Sequence, residues 1–338
     1  MAEVTRLRAR DEAPERPDGV EVGSIVSVFR VPPEMAGMRL DQFLKGQLKR
    51  TSRTRTQGII RASAYGDDGL RLRPSSRVVA EQHVMLWRPP WDETEVPRDL
   101  PVLYEDDYLL VVDKPAGLPV HPTARYHRNT VTKILETARP DERLSLAHRI
   151  DRETSGVLFL SKSPAVDRVV KRAFQDRDGV EKRYLAITWG VPKDEVFHVT
   201  LPLELDPTSR TRVKMRVAAP GEGLAASTRF RVLATRTGGA RPYALLQCDL
   251  DTGRQHQIRM HLVATGTPIV GDKLYAFDEG FFTRDVDGHA TEDDREKLET
   301  ARHALHATRL SLNHPVTRER LVVESPLPPD LQAFWESR

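Results

Sequence analysis

The 338-residue chain has one cysteine, Cys248, so an intramolecular disulfide and an all-cysteine metal site are both excluded. Its surroundings, YALLQCDL, are typical of a buried strand with a packed thiol. No apolar run approaches the ~18 residues needed to span a membrane. The opening stretch, MAEVTRLRARDEAPERPDG, contains no apolar segment of the kind found in secretory signals. We therefore expect a cytoplasmic protein without membrane contact.

The net charge is small, +3, but it is unevenly distributed. Residues 39–77 contain ten Lys and Arg against three acids, so this segment carries +7 and the remainder carries −4. A concentrated basic segment suits a polyanion such as nucleic acid, although a solvated helix face or a disordered basic stretch would have the same composition. The candidate RNA contacts are Arg39, Lys45, Lys49, Arg50, Arg53 and Arg55.

Composition and length both indicate two domains, at about 100–200 residues per domain. Residues 1–22 are charged, with little to bury, and we predict a disordered tail. Apolar residues at helical spacing in MRLDQFLKGQLKR predict a helix, a second short helix is predicted over 54–62, and RVVAEQHVMLW is typical of a strand. We therefore predict a small α/β RNA-binding domain over 35–90 and a proline-containing linker over 91–101.

Residues 102–334 predict one larger domain of mixed helices and strands. Helices are expected at 129–138, 164–177 and 255–265. Strand patterns occur in VLYEDDYLLVVDKPAG, VLFLSKS, KRYLAITWG, STRFRVLA and YALLQCDL. This mixture indicates an α+β fold with a largely antiparallel sheet.

An acidic stretch, residues 278–299, interrupts the larger domain with nine acids and three bases. Part of it, TRDVDGHATEDD, nearly fits a calcium-binding loop. However, Thr283 takes the first ligand position, and Asp294 takes the last, where a bidentate Glu is expected. We predict a solvated acidic insertion, partly loop and partly helix.

The segment AHRIDRETSGVLFLSKS places one acid, Asp151, between Arg149 and Arg152, directly before an apolar strand. Neighbouring positive charge keeps a carboxylate ionised, and a strand fixes its position. Both properties suit a nucleophile or a general base. A surface cluster of ion pairs would have the same pattern.

A second segment, LDTGRQHQIRMHLVATGTPIVGD, predicts a strand, a turn and a helix. Arg259 borders the apolar face of that helix, so it needs an anion, for which Asp151 is the obvious candidate. His256 and His261 are five residues apart and do not match the helical zinc pattern, so we expect no metal. Tyr184 lies in the strand pattern EKRYLAITWG, where a tyrosine usually belongs to the core.

Taken together and in this order, HRIDRETSG, EKRYLAITWG and TGRQHQIRMHL closely resemble the signatures of the RluA-type pseudouridine synthases. LYEDDYLLVVDKPAGLPVHP, GTPIVGDKLY and LHATRLSLNHP extend the resemblance over about residues 100–330. More loosely, residues 38–90 resemble the S4-like αL RNA-binding domain that is often fused ahead of this catalytic domain. The acidic stretch 278–299 is longer than is typical of the family.

The resemblance implies an isomerase that converts uridine in RNA to pseudouridine without a cofactor. It implies that Asp151 is the catalytic aspartate, that Arg149 enters the RNA stack, that Tyr184 packs on the uracil and that Arg259 pairs with Asp151. Further substrate contacts are predicted for Arg152, Arg254 and His256. Thr154, Ser155 and Gly156 are expected to shape the site.

Three questions stay open at the level of the sequence. The substrate could be ribosomal or transfer RNA, with large-subunit ribosomal RNA favoured by family analogy. A non-catalytic RNA-binding or ribosome-assembly protein could keep the fold, but binding alone needs no isolated acid such as Asp151. A glycosidase would usually need a second acid across the sugar, and no comparable motif supplies one. We expect a monomer.

Overall fold

The computed structural model describes residues 14–48, 51–89, 93–123, 125–176, 179–239 and 241–338. These residues form two compact units, one ending at residue 92 and the other beginning at residue 93. Within the described ranges, no helix is both long enough and apolar enough to cross a membrane.

The first unit combines a three-stranded antiparallel sheet with two helices. The sheet order is β1-β3-β2. Its strands are β1 (Ile25–Arg30), β2 (Ala64–Tyr65) and β3 (His83–Arg88), and its helices are α1 (Leu40–Gln47) and α2 (Arg53–Ser63).

Apolar spacing explains both helices of the first unit. Leu40, Phe43 and Leu44 of α1 recur on one face and are buried. Ile60 of α2 packs against the same core. The hydroxyl of Ser52 accepts a hydrogen bond from the backbone N–H of Arg55 and caps the start of α2. The two predicted helices and the predicted strand are therefore present, close to their expected positions.

The first unit begins earlier than the predicted limit at residue 35. Strand β1 pairs with β3 along its whole length, and Phe29 is buried in the core. Val20 is also buried, although it lies within the predicted disordered tail 1–22. Residues 1–13 of that tail lie outside the described residues. The segment IVSVFR is rich in β-branched and aromatic residues, which is a strand pattern that the prediction overlooked.

The predicted linker, 91–101, belongs largely to the second unit. Its residues have no regular secondary structure from 93 onward, but Val96 and Leu100 pack against the core of the second unit. The carboxylate of Glu93 accepts hydrogen bonds from the backbone N–H groups of residues 127–129. The linker prediction was therefore too long, because proline content indicates the absence of a helix or strand but not the absence of packing.

The second unit is built on a ten-stranded sheet. The strands of this unit, all of which except β10 and β11 belong to the sheet, are β4 (Val102–Glu105), β5 (Leu109–Lys114), β6 (Ser145–Leu146), β7 (Ser155–Ser161), β8 (Glu181–Trp189), β9 (Val196–Val199), β10 (Leu203–Leu205), β11 (Met215–Val217), β12 (Thr228–Arg236), β13 (Tyr243–Leu250), β14 (Leu305–Asn313) and β15 (Arg320–Glu324). Its helices are α3 (Val131–Ala138), α4 (Pro164–Asp176), α5 (Gln257–Ala264), α6 (Gly280–Val286), α7 (Glu292–Leu298) and α8 (Pro329–Glu336).

The main path of the ten-stranded sheet runs β4-β5-β7-β14-β8-β13-β12-β9, with β15 beside β14 and β6 beside β7, while β10 and β11 form a separate hairpin. Its strand pairs are antiparallel except for β7 with β14. At that parallel pairing Gly156 has φ +111°, and a Cβ there would overlap the backbone carbonyl of Ala307. The glycine of the TSG motif is therefore required by close strand contact.

The sheet is buried on both faces, as alternation along β5 shows. Leu110 and Val112 face one core, which also contains residues of α3, α5 and α8. Leu109 and Val111 face a second core, against which α4 packs. The predicted α+β fold with a mixed, largely antiparallel sheet is confirmed, and the predicted helices at 129–138, 164–177 and 255–265 correspond to α3, α4 and α5.

Candidate active site

The segment containing Asp151 is a loop between β6 and β7 that is held from behind. The backbone carbonyl of Arg152 accepts hydrogen bonds from the ammonium of Lys114, at 3.0 Å, and from the backbone N–H of Gly117, at 2.8 Å. Lys114 is fully buried and also donates to two other carbonyls, so the turn after β5 fixes the loop. On the other side, the hydroxyl of Thr154 and the imidazole Nε2 of His303 are 2.8 Å apart.

Helix α5 brings Arg259 to the carboxylate of Asp151. Nη1 of Arg259 donates to Oδ2 of Asp151 at 3.0 Å. The side chain of Asp151 is 24% exposed, whereas that of Arg259 is only 7% exposed. The contact that the sequence suggested is therefore present, with the carboxylate on the open side and the guanidinium on the closed side.

A second carboxylate, Asp272, holds the other edge of the same guanidinium. Nε and Nη2 of Arg259 both donate to it at 2.7 Å. Asp272 is buried and also accepts the backbone N–H groups of Leu274 and Tyr275. A bidentate pair of this kind fixes the plane of a guanidinium, so Arg259 has a set direction before it meets Asp151.

His256 lies beside the pair, at the start of α5. Its Nε2 is 3.8 Å from Oδ1 of Asp151, and its Nδ1 is 2.7 Å from the hydroxyl of Tyr275. That hydroxyl accepts the backbone N–H of Met215 at 2.8 Å, so it has its own proton to donate to Nδ1. His256 has φ +54°, an uncommon conformation for a residue with a side chain, and the surrounding bonds hold it there.

The charges around Asp151 keep it ionised. Burial by itself would raise the pKa of the Asp151 carboxyl, but His256 and Arg259 more than offset this, so its pKa lies below the usual value. Burial also lowers the pKa of His256 to about 4, which makes that imidazole neutral near pH 7. With His256 neutral, Arg259 is therefore the main cation that keeps the pKa of Asp151 low at neutral pH, and Arg149 adds a smaller contribution.

A cavity of about 130 Å³ opens at Asp151. Its walls include the buried ring of Tyr184 and the side chains of Arg149 and Arg254. Burial, together with the nearby charge of Asp151, raises the pKa of the Tyr184 hydroxyl, so this group stays protonated. The cavity thus presents a carboxylate, an aromatic ring and cations to whatever enters it.

The arginines of this region differ in the hydrogen bonds and ion pairs that hold their side chains. Arg149 is exposed and makes no side-chain hydrogen bond or ion pair to the described residues. Arg152 contacts the hydroxyl of Tyr126 at 3.0 Å and the carboxylate of Glu153 at 3.1 Å. Arg254 lines the cavity while its Nε donates to the carbonyl of Ala225 at 3.1 Å. Arg149 is therefore the arginine that is free to meet a ligand.

The basic residues predicted to bind RNA in the first unit also differ. Arg39 and Arg53 both pair with the buried Asp41, at 3.1 Å each. Lys45 and Arg55 are exposed, and neither side chain has a partner among the described residues. Lys49 and Arg50 lie outside those residues. Two of the six candidates thus carry a structural contact that the charge pattern did not reveal.

Sequence reasoning missed the residues that support the pair. Asp272 and Tyr275 lie in GTPIVGDKLY, which follows α5, and Lys114 is the last residue of β5. Both motifs carry the family resemblance, but no local pattern connects an acid to an arginine thirteen residues away in another element. Within the described part of the chain, no three His, Cys, Asp or Glu side chains cluster as a metal site would require.

Comparison with known proteins defines the class of protein to which this site belongs. Residues 108–264 match the family model described as RNA pseudouridylate synthase. The chain belongs to this family, whose members are isomerases, and the family predicted from its sequence motifs is confirmed.

Among individual relatives, ribosomal large subunit pseudouridine synthase D of Nitrosomonas europaea is 35% identical, over 91% of this chain and 86% of that relative. The protein of the same name in Xanthomonas campestris is 34% identical, over 91% of each chain. Human RNA pseudouridylate synthase domain containing 1 is similar in structure, with a TM-score of 0.55 and 25% identity over 72% of this chain and 90% of that one. The match thus extends over the second unit and beyond it.

Asp272→Asn should destabilise the protein by about 3–5 kcal/mol, because the substitution leaves Arg259 without its buried counter-charge. The matched variant Asp251→Asn, at a pair in which Asp251 is 33% exposed and Arg229 is 60% exposed, should cost about 0–1 kcal/mol. Urea denaturation of both variants measures the difference. Equal losses would show that the buried Arg259–Asp272 pair contributes no more to stability than a surface pair.

Proposed function

We propose that this chain isomerises specific uridines of large-subunit ribosomal RNA to pseudouridine, with Asp151 as the catalytic carboxylate. The observation that carries the proposal is a single acid, held ionised by Arg259, at the opening of a cavity that also contains Tyr184 and the free Arg149. Two relatives that cover most of this chain are named for ribosomal large subunit pseudouridine synthesis, which favours that RNA.

A uridine in a stacked helix cannot reach this cavity, so it must leave the stack at a cost of a few kcal/mol. Arg149 is suited to offset that cost. Its planar guanidinium can stack on bases and bind phosphate at once, and no protein partner holds it in the described structure. In this proposal Arg149 occupies the gap that the target uridine leaves.

Inside the cavity, cleavage of the glycosidic bond builds positive character on the ribose. An ionised carboxylate beside the sugar stabilises that charge, attacks the sugar or removes a proton from it. Asp151 can do any of these because Arg259 maintains its charge. The freed uracil must then turn and rejoin through carbon 5, and the ring of Tyr184 supplies a flat apolar surface against which it can turn. The C1′–N1 bond breaks and a C1′–C5 bond forms, while the proton lost from carbon 5 is matched by one gained at N1. The net change is an isomerisation without oxidation, so the reaction needs no redox or group-donating cofactor.

The first unit supplies RNA affinity in this proposal. Lys45 and Arg55 are exposed cations on its two helices, which belong to the basic segment 39–77. Contacts of this type bind phosphates without reading sequence. Transfer RNA is the second candidate substrate, and a non-catalytic RNA-binding role is the second candidate function. The ionised acid in the cavity favours catalysis over binding alone.

Purified protein incubated with total RNA from cells that lack this gene should introduce pseudouridines into large-subunit ribosomal RNA. Carbodiimide-dependent stops of primer extension locate them. Asp151→Asn should abolish the stops while RNA binding persists, since the amide has nearly the same shape but no charge. Stops in transfer RNA would change the substrate, and tight binding without stops in either RNA would favour the non-catalytic role.

The pH dependence of pseudouridine formation should depend on the cation beside Asp151. In the double variant Arg259→Gln/Asp272→Asn the cation is lost without leaving a buried carboxylate unpaired. Burial then raises the pKa of Asp151, so activity should be lost at a higher pH than in wild type as the pH falls, by about one pH unit or more. Arg254→Gln, which removes a cation that does not contact Asp151, should leave the acid limb of kcat/KM in place. An unmoved limb in the double variant would mean that Arg259 does not set that pKa.

Salt should weaken RNA binding less in a variant that lacks two exposed cations of the first unit, Lys45 and Arg55. Lys45→Gln/Arg55→Gln should lower affinity for any structured RNA and reduce the slope of log K against log salt by about two, roughly one per phosphate contact. Arg30→Gln, at an exposed pair with Glu81, is the matched control. Equal slopes in the two variants would place the RNA elsewhere.

A further inference from the structure

A second cleft adjoins the cavity at Asp151. Its volume is about 520 Å³, and Arg149, Asp151, His256 and Arg259 line both spaces. The two spaces therefore adjoin, with the side chains of the proposed reaction between them. The catalytic proposal uses only the smaller cavity and leaves the larger cleft without an occupant.

The larger cleft has one wall that the acidic insertion provides. Phe282 and Val286 of α6 line it together with Val120 and Tyr126 of the segment after β5. These side chains give the cleft an apolar and partly aromatic lining. Such a lining suits a flat ring, and base stacking on an aromatic side chain tolerates any of the four bases.

Three cations line the same cleft, and Asp285 of α6 and Asp287 just after it hold them. Asp285 is 3.5 Å from both Arg152 and Lys273. Asp287 is 2.8 Å from Arg125, whose guanidinium also donates to the carbonyl of Val286. The acids on this side of the insertion are therefore neutralised by partners, so they do not repel a polyanion.

Resting on the proposed function, we propose that this cleft receives a second nucleotide of the RNA, the chain neighbour of the target uridine, with its base against Phe282. Three features support this: the cleft adjoins the cavity, its lining includes apolar and aromatic side chains, and Arg149 is exposed for a phosphate. A neighbour that follows the uridine out of the stack loses its own stacking partners, and Phe282 replaces one of them, while Arg149 fills the gap in the stack. The acidic insertion thus serves as a specificity element.

Phe282→Leu tests the proposal, because leucine keeps the apolar packing of α6 but cannot stack on a base. Its matched control is Phe277→Leu, directly before the insertion, where the ring contacts Trp189 and Phe281 and does not line the cleft. On unmodified large-subunit ribosomal RNA, Phe282→Leu should raise KM about tenfold with little change in kcat, as expected for one lost stack. Phe282→Tyr should restore KM, and Phe277→Leu should stay within about twofold of wild type. Equal KM values for the two leucine variants would overturn the proposal.

An RNA with an abasic nucleotide on one or the other side of the target uridine gives the second measurement. Wild type should lose about tenfold in kcat/KM on one of the two RNAs, and Phe282→Leu should lose nothing further on that RNA. Additive losses would mean that Phe282 contacts another part of the substrate. If the wild-type protein formed no pseudouridine in unmodified RNA, the proposed function itself would be wrong. If it were active on that RNA but the losses were additive, only this inference would be wrong.

Discussion

The guanidinium of Arg259 is the constraint on which the site depends. It bridges the buried Asp272 and the half-open Asp151, so one cation sets both the position and the charge of the proposed catalytic group. If Arg259 were paired with Asp272 alone, it would not support the charge of Asp151. Without either acid, burying its positive charge would be costly. Because Asp272 also accepts two backbone N–H groups of the segment after α5, the direction of the fork is built into the fold.

The segments that meet at this fork are far apart in the chain, and the sheet brings them together. The loop with Asp151 is anchored to Lys114 at the end of β5 and continues into β7, whose first residues pair with β14. Helix α5 follows β13 after a short turn. Tyr184 lies on β8, which is between β14 and β13 in the sheet. Preorganisation of this kind lets charge develop on a substrate without moving the protein groups that stabilise it.

Sequence patterns predicted most of the regular elements because burial imposes a period on them. The apolar stripe of α1 and the apolar runs of β7 and β13 can be recognised from the sequence alone. Strand β1, IVSVFR, was missed although its apolar and β-branched residues favour a strand, and its pairing with β3 is seen only in the structure. The end of the predicted linker was misplaced because Val96 and Leu100 find their partners only in the folded second unit.

The sequence by itself determined the family and the fold class, and its ordered motifs proposed Asp151, Arg149, Tyr184 and Arg259 as a set. Only the tertiary structure decided how they are supported. Asp272 and Lys114 act through contacts between separate elements, and two acids of 278–299, Asp285 and Asp287, are partners of cations at the cleft. The physical reason is that periodicity reports burial along one element, whereas hydrogen bonds and ion pairs depend on distances that the whole fold sets.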